Sequence, residues 1–319
     1  MDALFSEDVR LLKGIQANLS SCILGKEKEI ELLLTAMLAG GHVLLEDVPG
    51  TGKTLLIKAL ARSINGQFRR IQCNPDLLPT DITGVSIFHP KEEEFIFRPG
   101  PVQTNILLAD EINRATTKTQ SALLEAMEER AVTVDGVAYH LPTPFLLMAT
   151  QNPIDFEGTY VLPEAQLDRF MMKFSLGYPD HDTEKRMLFA QAGGHPVDTL
   201  QPVVEVQRVL EMQKRVREVH VDDAVADYVV SLTRKTREHT SVLLGASPRA
   251  TLSLMQAAKA YAYVQGRDYV IPDDIKTLVP SVLGHRMILH SEARIEGTTL
   301  DTVFESIYSQ VRVPIRIEK

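Results

Sequence analysis

Cysteine is scarce in this sequence. Among 319 residues only Cys22 and Cys73 are cysteines, too few for a disulfide framework or for a zinc site of their own. Free, buried thiols in a reducing compartment are the expectation. Long apolar runs are missing as well. The most apolar stretch, Leu32 to Leu45, is broken by Gly40, Gly41 and His42 and is too short to span a bilayer. The opening residues, MDALFSEDVR, lack the basic-then-apolar order of a signal peptide, so a soluble, cytoplasmic protein is expected. Positive charge is in deficit. Thirty-four Lys and Arg against forty-two Asp and Glu give a net charge of −8, the wrong sign for a nucleic-acid clamp, which sets clustered cations against phosphates. There is no internal repeat and no low-complexity tract. His220, His239, His285 and His290 are scattered without metal-ligand spacing, and Met171-Met172 reads as core packing.

What is present is an alternation. Ser6 to Leu19, Lys26 to Ala39, Thr54 to Ile64 and Thr117 to Glu129 carry helical spacing. His42 to Glu46 is a short apolar run that reads as a buried strand, and Arg69 to Cys73, Asn105 to Asp110, Pro144 to Thr150 and Phe170 to Leu176 are further strand candidates. Short buried strands between helices predict a parallel sheet covered on both faces. After a Gly- and Pro-bearing stretch the pattern changes. Glu205 to Glu218, Asp222 to Glu238, Pro248 to Val264 and Pro272 to Val279 read as helices with no strand between them. The division expected is an α/β domain over 1–191, a linker over 192–202 and an all-α domain over 203–319.

The most informative stretch is Glu46 to Thr54, EDVPGTGKT, which follows a strand and opens a helix. That is the context of a phosphate-binding loop. Val48, Pro49, Gly50, Thr51 and Gly52 would turn backbone N–H groups inward, and the helix through Lys53, Thr54 and Leu55 would add its positive end. Lys53 can reach the β and γ phosphates of ATP, and the Thr54 hydroxyl can hold Mg2+. Asp47 stands where the general pattern has glycine, so its carboxylate must point away from a nucleotide. A second run, Ile106 to Glu111, is an apolar strand ending in two carboxylates. Asp110 suits the metal and Glu111 suits a general base for the attacking water.

Pro49–Thr54 with Asp110-Glu111 resembles an AAA+ ATPase. Asn74–Gly84 (NPDLLPTDITG), Phe97–Pro101 (FRPGP), Ala109–Ala115 (ADEINRA), Lys118–Glu129 (KTQSALLEAMEE), Ala149–Pro153 (ATQNP), Leu162–Phe170 (LPEAQLDRF) and Ser247–Arg249 (SPR) narrow the resemblance to the MoxR family. It covers nearly the whole chain. It implies a five-stranded P-loop core with an insertion hairpin in its second helix, a helical lid, and a ring, commonly a hexamer. It also implies that Asn152 senses the γ-phosphate, the alternative being a turn residue in Asn-Pro. Arg169 would be an arginine finger for the neighbouring subunit, or else a local partner of Asp168. Arg114 is a second candidate for a contact between subunits. Arg249 follows a Ser247 N-cap and Pro248 at the first helical position. A cation in that first turn opposes the helix dipole and makes sense beside phosphate, in its own or the adjacent subunit; otherwise it is an exposed arginine.

Two hairpins complete the reading. Val85–Phe88 and Phe95–Phe97 flank the charged tip HPKEEE, and Val132 to Tyr139 turns at Asp135-Gly136. The family resemblance puts both at the ring's central channel; the plainer reading is exposed hairpins that shape the ring. Three functions compete. The first is a chaperone-like ATPase that remodels or matures client proteins, with a von Willebrand factor A-domain partner and metal or cofactor insertion as family themes. The second is a nucleic-acid motor, opposed by the −8 charge and the acidic tip. The third is a slow ATP-binding switch, opposed by Lys53, Asp110, Glu111, Asn152 and Arg169 standing together.

Overall fold

Five short strands bring their carboxyl ends to one edge. The computed structural model describes residues 3–153, 159–190 and 196–314. The chain begins α1 (Ala3–Cys22), α2 (Glu27–Ala39), β1 (Val43–Glu46), α3 (Lys53–Ser63), β2 (Phe68–Gln72), α4 (Pro79–Thr83), β3 (Gly84–His89), β4 (Glu94–Pro99) and β5 (Ile106–Asp110). A 3-10 turn at Ile112–Arg114 leads to α5 (Thr117–Glu129), β6 (Ala131–Val134), β7 (Val137–His140), β8 (Leu146–Gln151), α6 (Glu164–Leu167), β9 (Met172–Phe174) and α7 (His181–Ala190). Then come α8 (Pro196–Thr199), α9 (Val206–Arg217), α10 (Asp223–Glu238), β10 (Val242–Leu244), α11 (Pro248–Val264), α12 (Pro272–Leu283), β11 (Ile288–Leu289), α13 (Ser291–Ile295) and α14 (Leu300–Gln310).

The sheet has the order β2-β5-β8-β1-β9 and every pair is parallel. Successive residues leave it on opposite sides. Val43, Leu45, Leu108 and Met148 join one apolar cluster with α1, α2, α3 and the helices of the second half. Leu44, Leu107, Leu147 and Ala149 join another with α5. Each buried leucine contributes about 1.5–3 kcal/mol, and both faces are covered, as the alternation of strands and helices predicts.

The second half docks on the first through polar ends. Helix α2 stops at Gly40, whose φ of 67° is left-handed, and leaves carbonyls open at its last turn. Gln213 of α9 donates to Met37 O at 2.7 Å and Gln256 of α11 donates to Ala39 O at 2.8 Å. Asp8 of α1 is fully buried. Its carboxylate pairs with Arg208 at 2.8 Å and Arg215 at 2.6 Å, both on α9, and accepts from the Tyr263 hydroxyl on α11. Within the expected linker, residues 192–195 lie outside the described residues. From Pro196 the chain follows α3: Arg62 donates to the carbonyls of Val197 and Asp198, and Ser63 O accepts from Val203 and Val204.

Two features of the lid depart from the sequence reading. It contains a two-stranded antiparallel ribbon, β10 with β11, whose strands are too short to leave a periodic signal. Helix α12 runs past Val279 through Pro280 to Leu283. Proline has no N–H for the carbonyl four residues back; that carbonyl, Lys276 O, accepts instead from the Tyr308 hydroxyl at 3.3 Å.

Both hairpins form. Strands β3 and β4 pair from Gly84↔Pro99 to His89↔Glu94, and β6 pairs with β7. At the base of the first, a Cβ on Gly100 would run into the Ile82 carbonyl, and one on Gly84 into the Arg98 carbonyl. Phe88 and Phe95 near the tip are exposed and meet edge to face. Phe97 stacks on Tyr139, ring centroids 3.9 Å apart, so the two hairpins lie against each other. Among the described residues no helix is long and apolar enough to cross a membrane.

Candidate active site

A cleft of about 460 Å³ opens at the carboxyl edge of the sheet. It is lined by the loop before α3 and by the ends of β2, β5 and β8. In this sheet class the strand ends are where ligands bind. Gly50 and Gly52 have φ of 86° and 91°, values that a side chain would strain. Helix α3 starts at Lys53. The Lys53 ammonium donates to Asp47 O at 3.1 Å and Val48 O at 2.8 Å; with three donors it keeps one for a phosphate oxygen. Pro49, Gly50, Gly52, Thr54 and Leu55 line the cleft beside Lys53. Val48 supplies a carbonyl to Lys53, and Thr51 turns its hydroxyl to Asp47.

The carboxylate of Asp47 is turned into the protein, as its place in the loop requires. It accepts from Val48 N at 2.9 Å, the Thr51 hydroxyl at 3.1 Å, Leu176 N at 2.8 Å and Gly177 N at 3.0 Å. The loop is thereby tied to the chain leaving β9. Beside it, Glu46 accepts from Gln151 Nε2 at 2.5 Å and pairs with Lys173 at 2.7 Å.

Asp110 and Glu111 stand across the cleft. Glu111 has a φ of 56°, a left-handed conformation that costs a non-glycine residue about 1–2 kcal/mol. Thr150 holds it: its hydroxyl accepts from Glu111 N at 2.9 Å and donates to Asp110 Oδ1 at 2.5 Å. Arg70 of β2 pairs with Asp110 Oδ2 at 2.6 Å, and Gln72 donates to Glu111 Oε2 at 3.1 Å. Arg114 reaches the same Glu111 oxygen at 3.4 Å. Asn152 lines the cleft at the end of β8. Burial, reinforced by the charges of Asp110 and Glu111, pushes the nearby Cys73 thiol up to about 12, so it is no nucleophile at neutral pH. Arg70 and Gln72 were not singled out in the sequence. The signal that exposes them is strand order, since β2 pairs with β5 so that Gln72 sits opposite Asp110.

A metal ion would find hard oxygen donors here, the Thr54 hydroxyl and the Asp110 carboxylate, which suit magnesium beside phosphate oxygens. Magnesium is ordinarily held by one or two such protein oxygens, with phosphate oxygens and water completing its shell.

Two of the expected residues stand elsewhere. Arg169 and Arg249 do not line the cleft. Both pair with Glu128, in the last turn of α5: Arg169 Nε lies 3.1 Å from Oε2, and Arg249 Nη1 lies 3.1 Å from Oε1. Arg249 occupies the first turn of α11 behind the Ser247 cap, which accepts from Ala250 N at 3.1 Å. Asp168 is not the partner of Arg169. Its carboxylate pairs with Arg286 at 2.8 Å and accepts from the Ser247 hydroxyl at 3.3 Å. Arg286 is buried, and its guanidinium also donates to Asp168 O and Phe170 O. Burial lowers it to about 10 against the opposing pull of Asp168.

Residues 42–172 match the model of the ATPase family associated with various cellular activities (AAA), and residues 234–307 match the AAA lid domain. The chain is 52% identical to the uncharacterized protein YeaC of Bacillus subtilis (strain 168), covering 98% of each. It is 42% identical to the chaperone MoxR1 of Mycobacterium tuberculosis, over 96% of this chain and 83% of that protein. A crystal structure of a candidate ATPase from Cytophaga hutchinsonii superimposes with a TM-score of 0.91 at 38% identity, covering 98% of this chain and 97% of that one.

Proposed function

The chain belongs to the MoxR family of AAA+ ATPases and hydrolyses ATP; we propose that it does so as a ring, each site completed by the neighbouring copy, and that the ring remodels or matures client proteins. The observation that carries the reading is the position of Arg169 and Arg249. They share Glu128 away from the cleft that holds Lys53, Asp110 and Glu111. Two cations of this type are useful where negative charge develops on a transferring phosphoryl group. Since they do not line their own cleft, the partner for them is the γ-phosphate held by another copy.

In this reading Val48 to Leu55 cradle the phosphates and Lys53 binds the β and γ groups. Thr54 and Asp110 would hold Mg2+, which would draw charge from the γ-phosphoryl oxygens. Glu111 takes a proton from the water whose oxygen attacks the γ-phosphorus. The bond from that phosphorus to the bridging oxygen breaks, and ADP leaves with the electron pair. Asn152 orients the water and the γ-phosphate. Residues 203–319 act as the lid, after a linker over 192–202.

A protein client fits better than nucleic acid. The chain carries −8 net charge, and the first hairpin presents Glu92, Glu93 and Glu94 at its tip. The Phe97–Tyr139 stack would let both hairpins move as one against a client. The family resemblance implies a partner protein with a von Willebrand factor A domain, and maturation of clients by metal or cofactor insertion. The buried thiol of Cys73 suits a reducing cytoplasm.

The test is ATP hydrolysis per chain over a wide range of protein concentration, for wild type, Glu111→Gln and Arg169→Ala. Shared sites require specific activity to rise with concentration, and both variants to lose hydrolysis while still binding ATP. A flat profile with Arg169→Ala fully active would mean that each chain works alone.

A further inference from the structure

We propose that Glu128 is a positioning residue for the arginine pair, holding Arg169 and Arg249 as one two-pronged group for the neighbouring nucleotide; this rests on the shared-site reading above. The geometry is specific. One carboxylate oxygen takes Nε of Arg169 and the other takes Nη1 of Arg249, both at 3.1 Å. The two arginines come from different parts of the chain, Arg169 from the loop before β9 and Arg249 from the lid helix α11. Without a shared anion two guanidinium groups this close repel each other and splay into water. With it, each guanidinium is held by an ion pair at 3.1 Å and keeps N–H groups for phosphate oxygens. The carboxylate can therefore stay in place while both prongs work.

Asp168, next to Arg169 in the chain, is engaged by Arg286 and Ser247. Glu128 has a side chain 34% exposed and sits at the far end of the helix that begins just after the Glu111–Arg114 pair. A 13-residue α5 spans about 20 Å at 1.5 Å per residue. A rigid rod thus runs from the general base of one site to the cations offered to the next.

Glu128→Gln keeps the size and removes the negative charge that the two guanidinium groups share. The expected result is a kcat lower by about tenfold to a hundredfold, the scale of a misplaced catalytic group. KM for ATP should stay within about twofold and the melting temperature should be unchanged, because binding and folding do not use this contact. The experiment mixes each variant with an equal amount of Glu111→Gln, whose own site is dead and whose arginine pair is intact. Arg169→Ala and Glu128→Gln should both regain activity on mixing. If Glu128→Gln alone turns over like wild type, the assignment is overturned. It is equally overturned if mixing rescues Arg169→Ala and leaves Glu128→Gln slow, since Glu128 would then act in its own site. Failure of the Arg169→Ala rescue would overturn the shared-site reading, and the Glu128 assignment with it.

Discussion

Arg286 of the lid reaches across to Asp168, with Nε 2.8 Å from Oδ1, and so fixes the residue that immediately precedes Arg169. The same guanidinium donates to the carbonyls of Asp168 and Phe170 on either side of Arg169. The loop carrying Arg169 is therefore clamped by the lid, while its own side chain is left to Glu128. Arg286→Ala would strand a carboxylate and two carbonyls at a largely buried site. Losing one partner of such a pair costs about 3–5 kcal/mol, and the 23% exposure of Asp168 favours the lower end. A drop in melting temperature is expected, together with slower hydrolysis at unchanged ATP affinity. If hydrolysis survives while stability falls, the clamp is structural only.

Asp47 supports a second prediction. Its carboxylate accepts four hydrogen bonds, two of them from the backbone at Leu176 and Gly177. Asp47→Ala leaves those N–H groups without an acceptor, at about 1–3 kcal/mol each, and frees the phosphate loop from β9. ATP affinity should fall by about tenfold, or 1.4 kcal/mol, as read by titration with a fluorescent ATP analogue. Asp47→Asn keeps one acceptor oxygen and should lose less. Equal binding by all three proteins would show that the loop holds its shape without this anchor.

The local chemistry of the site was legible in the sequence; its pairings were not. A strand, two left-handed glycines and a helix opening at Lys53 follow from EDVPGTGKT, and the inward turn of Asp47 follows from its place in that loop. Ser247 as a cap with Pro248 behind it was equally local. By contrast, Arg169 could be matched only with its sequence neighbour Asp168, whereas the folded chain gives it Glu128, 41 positions earlier. Arg70 and Gln72 belong to no motif, and only the order β2-β5 sets them beside Asp110 and Glu111. Periodicity reports which face of an element is buried and says nothing about which element covers it. The passage of α12 through Pro280 is of the same kind, since the tyrosine that serves the freed carbonyl comes from α14.

Asp8 joins the first helix to the lid, and its removal should be costly for a different reason. It is fully buried between Arg208, Arg215 and the Tyr263 hydroxyl. Asp8→Asn leaves two arginines facing a neutral amide. The expected loss is about 3 kcal/mol, with faster hydrogen exchange in α9 and α11 than in the sheet. Exchange rising uniformly across the chain would mean that α1 does not hold the lid specifically.

Acid should destabilise the fold before its carboxylates titrate. His42 is buried at the start of β1, and its Nδ1 accepts from Leu147 N at 3.0 Å. Burial, aided by the charge of Arg130, lowers its pKa to about 3. His285, at the junction of lid and core with Nε2 on Phe170 O, is lowered to about 3 by burial and by Arg286. Unfolded, both rings titrate near pH 6.5. Between pH 6.5 and about 3 the unfolded chain therefore binds more protons than the folded one, and stability falls as pH falls. Each ring adds a slope approaching about 1.4 kcal/mol per pH unit well inside the window, which fades to nearly nothing by about pH 8. Thermal melts between pH 7.5 and 4.5 should be flat at the upper end and decline below about 6.5. His42→Asn keeps an acceptor for Leu147 N and cannot titrate, so its profile should decline less steeply. Parallel profiles for the two proteins would show that His42 is free to take up its proton in the folded state.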